Sequence, residues 1–286
     1  AVQQSPALTV YWSPRASQTM ILFNLRLPFF EDAQVRRALA MAIDRQSLVE
    51  NALHGKARAS DDLLVPSAWA AGSTARLPAY NQEAARALLD AAGWRDGDGD
   101  GVRERNGVKM EFSLLTNDDP TRIAVAQAVG RAWVDIGAAI EVQVINSYDL
   151  VQDYLQPRRF EAVLFGFASL PDDPDPYEMW HSSQREGNGL NFTGFASHKA
   201  DEILEEARRT GDITRRQDLY RQFQGMLADQ IPVIPLYSPL FAFAASDSLH
   251  SVRLSFITEP GDRFRHLSEW YTLSYTVTVT ERRRVR

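Results

Sequence analysis

With 286 residues, 44% of them hydrophobic and 24% charged, the chain has the composition of a folded globular protein and not of a disordered or collagen-like one. Its 31 basic and 37 acidic residues leave a net charge of −6, which argues against blanket nucleic-acid binding. It has no cysteine, which removes disulfides, thiol nucleophiles and thiolate metal sites. It also has no run of about 20 apolar residues that could cross a membrane as a helix.

In chain order, residues 1–20 are polar with two prolines and predict an irregular lead-in. Ile21 to Leu27 is a short apolar run, expected as a buried strand. Asp32 stands as N-cap before Val35, Ala38, Leu39, Ala42 and Ile43, which recur at helical spacing. Asn81 caps a second helix that carries Ala85, Leu88, Leu89 and Ala92 and stops at Gly93. Met110, Phe112 and Leu114 alternate with polar residues and predict a strand. Asp119-Pro120 is an N-cap followed by proline at the first helical position, opening a helix with Ile123, Ala126, Val129 and Trp133. Ile140, Val142 and Val144 alternate again. Strand, helix and strand make a βαβ unit whose strands are expected to run parallel. A short helix over 148–155, a strand over 161–167, helices near 197–209 and 214–229, and a long strand over 233–245 follow.

Two acidic motifs stand out. Asp96-Gly97-Asp98-Gly99-Asp100-Gly101 imitates the opening of a calcium loop, but the twelfth position is Gly107 where a bidentate Glu is needed. A tight Asp-Gly turn explains the same residues. Pro171-Asp172-Asp173-Pro174-Asp175-Pro176 follows a strand, where open α/β sheets bind ligands. It could receive an amine, a metal or a sugar hydroxyl, or simply cap a helix starting near Tyr177. Phe165, Phe167, Tyr177, Trp180, Phe192 and Phe195 lie close to it in sequence, with Asn191 and Thr193 as nearby polar groups. The five histidines show no metal-ligand spacing, and no nucleophile elbow, P-loop or dinucleotide turn is present. Two alternatives therefore remain beside a binding protein. One is a calcium-binding structural module on Asp96, Asp98 and Asp100. The other is a carboxylate-dependent glycosidase using Asp172 and Asp175.

The ordered set of motifs resembles the family 5 extracellular solute-binding proteins, the peptide- and nickel-type receptors of ABC importers. The matching stretches are Phe23-Asn24-Leu25, Asp32 to Asp44, Tyr80 to Trp94, Asp96 to Gly107, Gly166-Phe167 with Asp173-Pro174-Asp175, Asn191 to Phe195, Asp201 to Ala207, and Arg216 to Tyr237. The resemblance implies an α/β, periplasmic-binding-protein-like (class II) lobe with a central mixed, mostly parallel sheet flanked by helices. It implies a chain cut from a longer one. Residues 1–20 would lead in from a missing amino-terminal lobe, and 21–237 would form the carboxy-terminal lobe. Hinge crossings would fall near 21–25 and 234–237, and 238–286 would return to pack with the missing lobe. It implies a non-enzymatic receptor without cofactor or resident metal. Ligand, a peptide or related small solute, would bind in an inter-lobe cleft and pass to an ABC permease in the membrane. The location would be periplasmic or extracellular, with the signal segment lying outside this chain and a membrane anchor open in the full-length form. Self-association through the surface left by the missing lobe is an expected consequence.

Phe167, Ser169, Asp172, Asp173, Asn191 and Phe192 are expected to face the cleft. In peptide-binding relatives the stretch after a Gly-Trp reads roughly Asp-x-x-Asp-Pro-Asp, and its first Asp pairs with the peptide α-ammonium. The corresponding position here is Leu170. Losing such a carboxylate costs an amine ligand on the order of 3–5 kcal/mol. A sugar, metal chelate or less charged ligand is then implied beside ordinary peptides, unless Asp172 takes over the anchor.

Overall fold

A computed structural model describes residues 7–64, 75–168 and 175–274. Ser169, Leu170, Asp172 and Asp173 lie outside the described residues. The elements that position the site are β1 (Leu8–Pro14), β2 (Ser17–Phe23), α1 (Ala33–Met41), β3 (Ala57–Ala59), α2 (Gln82–Ala91), β4 (Glu111–Asn117), α3 (Pro120–Val134), β5 (Ala139–Ile145), β6 (Ala162–Ala168), α4 (His198–Arg209), α5 (Ile213–Gln230) and β7 (Val233–Ser246).

The helix starts follow their caps. The Asp32 carboxylate accepts from the Gln34 amide at 2.8 Å, Asn81 from Ala84 at 2.9 Å, and Asp119 from Arg122 at 3.0 Å. Each satisfies a backbone donor that the first helical turn leaves unpaired. Helix α5 closes on Ile231 in a left-handed conformation (φ 45°), with its amide bonded back to Leu227.

A seven-stranded sheet runs in the order β1-β7-β2-β6-β4-β5, with β3 also on β7. Strands β4 and β5 pair in parallel, Phe112 opposite Ile140 and Leu114 opposite Val142, as the βαβ pattern predicts. Strand β6 joins β4 in parallel. Within this sheet, among the described residues, parallel pairing is confined to these three strands. The other neighbouring strands pair antiparallel, β2 lying beside β7 with Ile21 facing Ile234. Helix α3 lies close on β5: a Cβ added at Gly130 would come within 3.1 Å of Val142 Cγ2.

The lead-in departs from expectation. Residues 8–14 and 17–23 are strands, not irregular chain. Leu8–Pro14 pairs along its whole length with residues 240–246 of β7, and Ser17–Phe23 is buried throughout in the sheet interior. The strand predicted over 21–27 thus begins four residues earlier. Ser17, Gln18 and Thr19 are polar, so they do not read as a buried strand, yet all three pair with β6, and Thr19 also with Tyr237 of β7.

The core centres on Trp133, fully buried, with Phe112 at 5.4 Å and Phe23 at 6.2 Å between ring centroids. Its indole donates to the Leu39 carbonyl at 3.0 Å, tying α3 to α1. The Asp96–Gly101 stretch is a tight turn. Asp96 accepts from the Gly99 and Gly101 amides at 2.7 and 3.0 Å, and Asp100 from Val102 at 2.8 Å. Gly99 and Gly101 have φ of +80° and +90°, which glycine adopts without strain. The Lys109 ammonium pairs with Asp98 and Asp100.

Candidate functional site

Strands β4, β5 and β6 end along one edge of the sheet, at Asn117, Ile145 and Ala168. The antiparallel β2 begins at that edge, with Ser17 opposite Ala168 and Thr19 opposite Gly166, and Tyr237 of β7 pairs with Thr19. Carboxyl ends of parallel strands are where such sheets take ligands.

The period of two divides this edge between the two faces of the sheet. The Phe112–Trp133 contact fixes the α3 face. Thr116 shares it on β4, Gly166 on β6, and Ser17, Thr19 and Tyr237 on the crossing strands. Arg122, in the first turn of α3, reaches over Gly166. A Cβ there would meet the guanidinium Nη2 at 2.7 Å and Thr19 Oγ1 at 3.3 Å, so glycine is what leaves room for the arginine. Among the described residues no carboxylate pairs with this half-buried guanidinium, whose own backbone amide is held by Asp119. The hydroxyls of Ser17 and Thr116 are buried without a hydrogen-bond partner, and Thr116 is wholly inaccessible. The Tyr237 phenol is pushed up in pKa by burial, only partly offset by its hydrogen bond with Thr19 and by the charge of Arg122, while Asp119 adds to the rise. It therefore stays a neutral donor at physiological pH.

One guanidinium, several hydroxyls and the positive end of α3 converge here. Unpaired buried donors cost free energy until something accepts from them. The arrangement suits a carboxylate or another acceptor-rich group.

On the opposite face Phe167 is half-buried, edge-on to Phe165 at 5.3 Å, beside Gln18. The Gln18 amide donates to Ser60 Oγ at 3.0 Å and to the Asp62 carbonyl at 2.6 Å, and its own oxygen is buried without a partner. Asn191 and Phe192 sit behind this surface. Asn191 is fully buried; its amide nitrogen donates to the carbonyls of Trp180, His181 and Phe195, and its oxygen accepts from Thr193 and Gly194. Phe192 is 4% exposed, with Phe165 at 6.4 Å and the Arg158 guanidinium over its ring.

Just after the acidic loop, Arg208 holds Asp175 through Nε at 2.8 Å and Nη2 at 2.6 Å, and lies 3.8 Å over the Tyr177 ring, which stacks on His181. A groove of about 900 Å³ runs instead along the outer flank of α3, lined by Ala124, Ala128, Arg131 and Asp135 among others. It shares none of the strand-end residues, where the unpaired polar groups converge. Sequence reasoning missed Arg122, Thr19, Tyr237, Ser17 and Thr116. The available signal was Thr116-Asn117 closing a strand just before a capped helix, but Arg122 reads as an ordinary polar position of that helix.

Comparison with known proteins agrees with this architecture. The family model for bacterial extracellular solute-binding proteins, family 5 Middle, matches residues 1–189. The oligopeptide-binding protein AppA of Bacillus subtilis is 30% identical over 241 residues, which cover 83% of this chain and 44% of AppA. The nickel-binding periplasmic protein of Escherichia coli is 29% identical over 241 residues, 82% of this chain and 45% of that protein. The structure of AppA in complex with a nonapeptide superposes with a TM-score of 0.80 at 27% identity, covering 95% of this chain and 54% of AppA. NikZ from Campylobacter jejuni in complex with Ni(L-His) gives 0.77 at 26% identity, covering 94% and 54%. The chain thus spans about half the length of the curated relatives it matches. Neither the calcium-module nor the glycosidase alternative finds support among these relatives, which are solute-binding proteins. A matched family model and a shared lobe architecture lead to one assignment: the chain belongs to the family 5 bacterial extracellular solute-binding proteins.

Proposed function

We propose that this chain is the carboxy-terminal, ligand-reading lobe of the substrate receptor of an ABC-type importer. It takes a peptide or related small solute and hands it to a membrane permease on the periplasmic or extracellular side. The observation that carries the reading is the cradle at the strand ends, where the Arg122 guanidinium lies over Gly166 beside Thr19 and Tyr237 and pairs with no carboxylate among the described residues. The names of the relatives, oligopeptide- and nickel-binding proteins, support it. No helix among the described residues is long and apolar enough to cross a membrane.

Arg122 holds the ligand's acidic group on the α3 face. Phe167 forms the wall on the other face, and Asn191 and Phe192 support it from behind. The paired strands around Thr19 and Tyr237, where the β2–β7 register shifts, are the hinge. Ligand touching both lobes favours the closed form by its differential affinity.

The test is calorimetric titration of the full-length receptor with peptides. Arg122→Gln is expected to weaken a ligand with a free carboxylate by about 10- to 100-fold, the worth of a charge-assisted hydrogen bond. It should hardly affect the amidated form. Gly166→Ala should act in the same direction by displacing the guanidinium. Unchanged affinity in both variants would remove the cradle from the binding site.

The segment beyond β7 bears on assembly. Phe243, Phe264 and Trp270 form a ring cluster with centroids 5.6–6.3 Å apart, bordered by exposed Leu267, Tyr271 and Leu273. We assign this apolar face to the first lobe of the full receptor. The isolated chain then self-associates through it, and light scattering should find dimers or larger species that Leu267→Glu with Leu273→Glu returns to monomer. A monomeric parent chain contradicts the assignment.

A further inference from the structure

At the edge of the lobe opposite the cleft, β2 ends and β6 begins. Three arginines meet there in a chain whose overall charge is −6. Arg26 donates through Nη1 to the Phe192 carbonyl at 3.1 Å and through Nη2 to the Arg185 carbonyl at 2.6 Å. Its side chain lies against Gly194, where a Cβ would come within 2.6 Å of Nη1. Arg158 donates to the carbonyls of Gly187 and Gly189 at 2.9 and 2.7 Å. Backbone carbonyls thus hold two guanidiniums in fixed positions around the 185–192 loop, which itself carries the third, Arg185.

Charge and hydrogen bonding are both incomplete there. Among the described residues the only carboxylate within ion-pair distance of the three is Glu186, 3.6 Å from Arg26, and its side chain is 82% exposed. The Nε–H groups of Arg158 and Arg185 are buried and donate to nothing. Burial holds the Arg26 guanidinium below its usual pKa; Glu186 opposes this, while Arg185 and Arg158 add to it by repulsion. Like charges held together by the backbone, with unused donors, are relieved by an anion. Guanidinium forks suit the oxygens of phosphate.

We propose that Arg26, Arg158 and Arg185 form a second binding site, for a phosphate-bearing group, in which the exposed Glu186 is a displaceable occupant. The site lies across the sheet from Arg122 and is independent of the transported solute.

The test uses the chain as it stands, with melting temperature read against inorganic phosphate and against chloride at matched ionic strength. Phosphate is expected to raise the melting temperature beyond chloride. Glu186→Gln should tighten the apparent phosphate affinity about two- to fivefold, the worth of a surface ion pair, and Arg185→Gln should abolish the phosphate-specific shift. Circular dichroism checks that both variants fold, and Glu186, being exposed, carries little folding risk. Co-sedimentation with phosphatidylglycerol vesicles, against phosphatidylcholine, separates the sources. Retention on the anionic vesicles assigns a lipid headgroup; a phosphate shift without retention assigns a soluble phosphate. No phosphate-specific shift in Glu186→Gln, or an undiminished one in Arg185→Gln, overturns the site.

Discussion

Asn191→Ala is expected to destabilise the protein by about 3–4 kcal/mol, although it removes only one small polar side chain. The amide is fully buried and joins five partners: it donates to Trp180, His181 and Phe195 carbonyls at 3.2, 3.2 and 2.8 Å, and accepts from the Thr193 hydroxyl and the Gly194 amide at 3.1 Å each. Truncation strands these groups where no solvent reaches. Each unsatisfied buried group costs about 1–3 kcal/mol, reduced by relaxation of the loop. Asn191→Asp is an instructive companion. It keeps the acceptor but sets a carboxylate against three carbonyl oxygens, so it should be at least as damaging. Urea denaturation measures both as a shift in midpoint at constant m. A loss below about 1 kcal/mol for alanine would show that the loop does not depend on this residue.

Arg36→Met should cost a similar amount, about 3–5 kcal/mol. Arg36 is 2% exposed, an unusual place for a guanidinium, and burial pulls its pKa down to about 10 against the opposing charge of Asp32. It donates to the carbonyls of Glu31, Gln230 and Ile231 at 3.0 Å, and more closely to that of Phe30. Two of those carbonyls belong to the end of α5, where Ile231 turns the chain left-handed into β7. The arginine thereby joins α1 to the return of the chain, with 194 or more residues of sequence between them. Methionine matches the apolar stem but supplies no donors. Arg36→Lys keeps the charge and loses the fork, so it should recover little. Thermal and urea unfolding would refute this if Arg36→Met came within about 1 kcal/mol of the parent.

Both residues show where sequence legibility ends. Asn191 was legible as a polar residue near the acidic loop and was expected to face ligand. Its amide is instead engaged inside the loop, because carbonyls of residues 180, 181 and 195 converge on it. Arg36 occupies a polar position within the DAQVRRALAMAID helix, yet it points inward because α1 is buried on more than its apolar stripe. The cradle has the same character. Nothing near Arg122 in sequence distinguishes it from Arg131 on the same helix. Only the approach of Gly166 and Thr19, from strands well removed in the chain, sets its guanidinium over the carboxyl ends of the strands.

Local sequence carried the main helices and their caps, the parallel β4–α3–β5 unit, the Asp-Gly turn at 96–101 and the family resemblance. All of these rest on neighbours a few residues apart or on the order of short motifs. Caps act within one turn, apolar periodicity within two, and the βαβ pattern within about 35 residues. The rest came from long-range packing. It made strands of the lead-in by pairing Leu8–Pro14 with residues 240–246, and it set the direction of β2 between β6 and β7. It buried the hydroxyls of Ser17 and Thr116 without partners and set Arg122 over Gly166 and Thr19. Strand pairing and burial depend on which distant segments meet, and a buried polar group is defined by the partner it lacks. No local pattern carries that information.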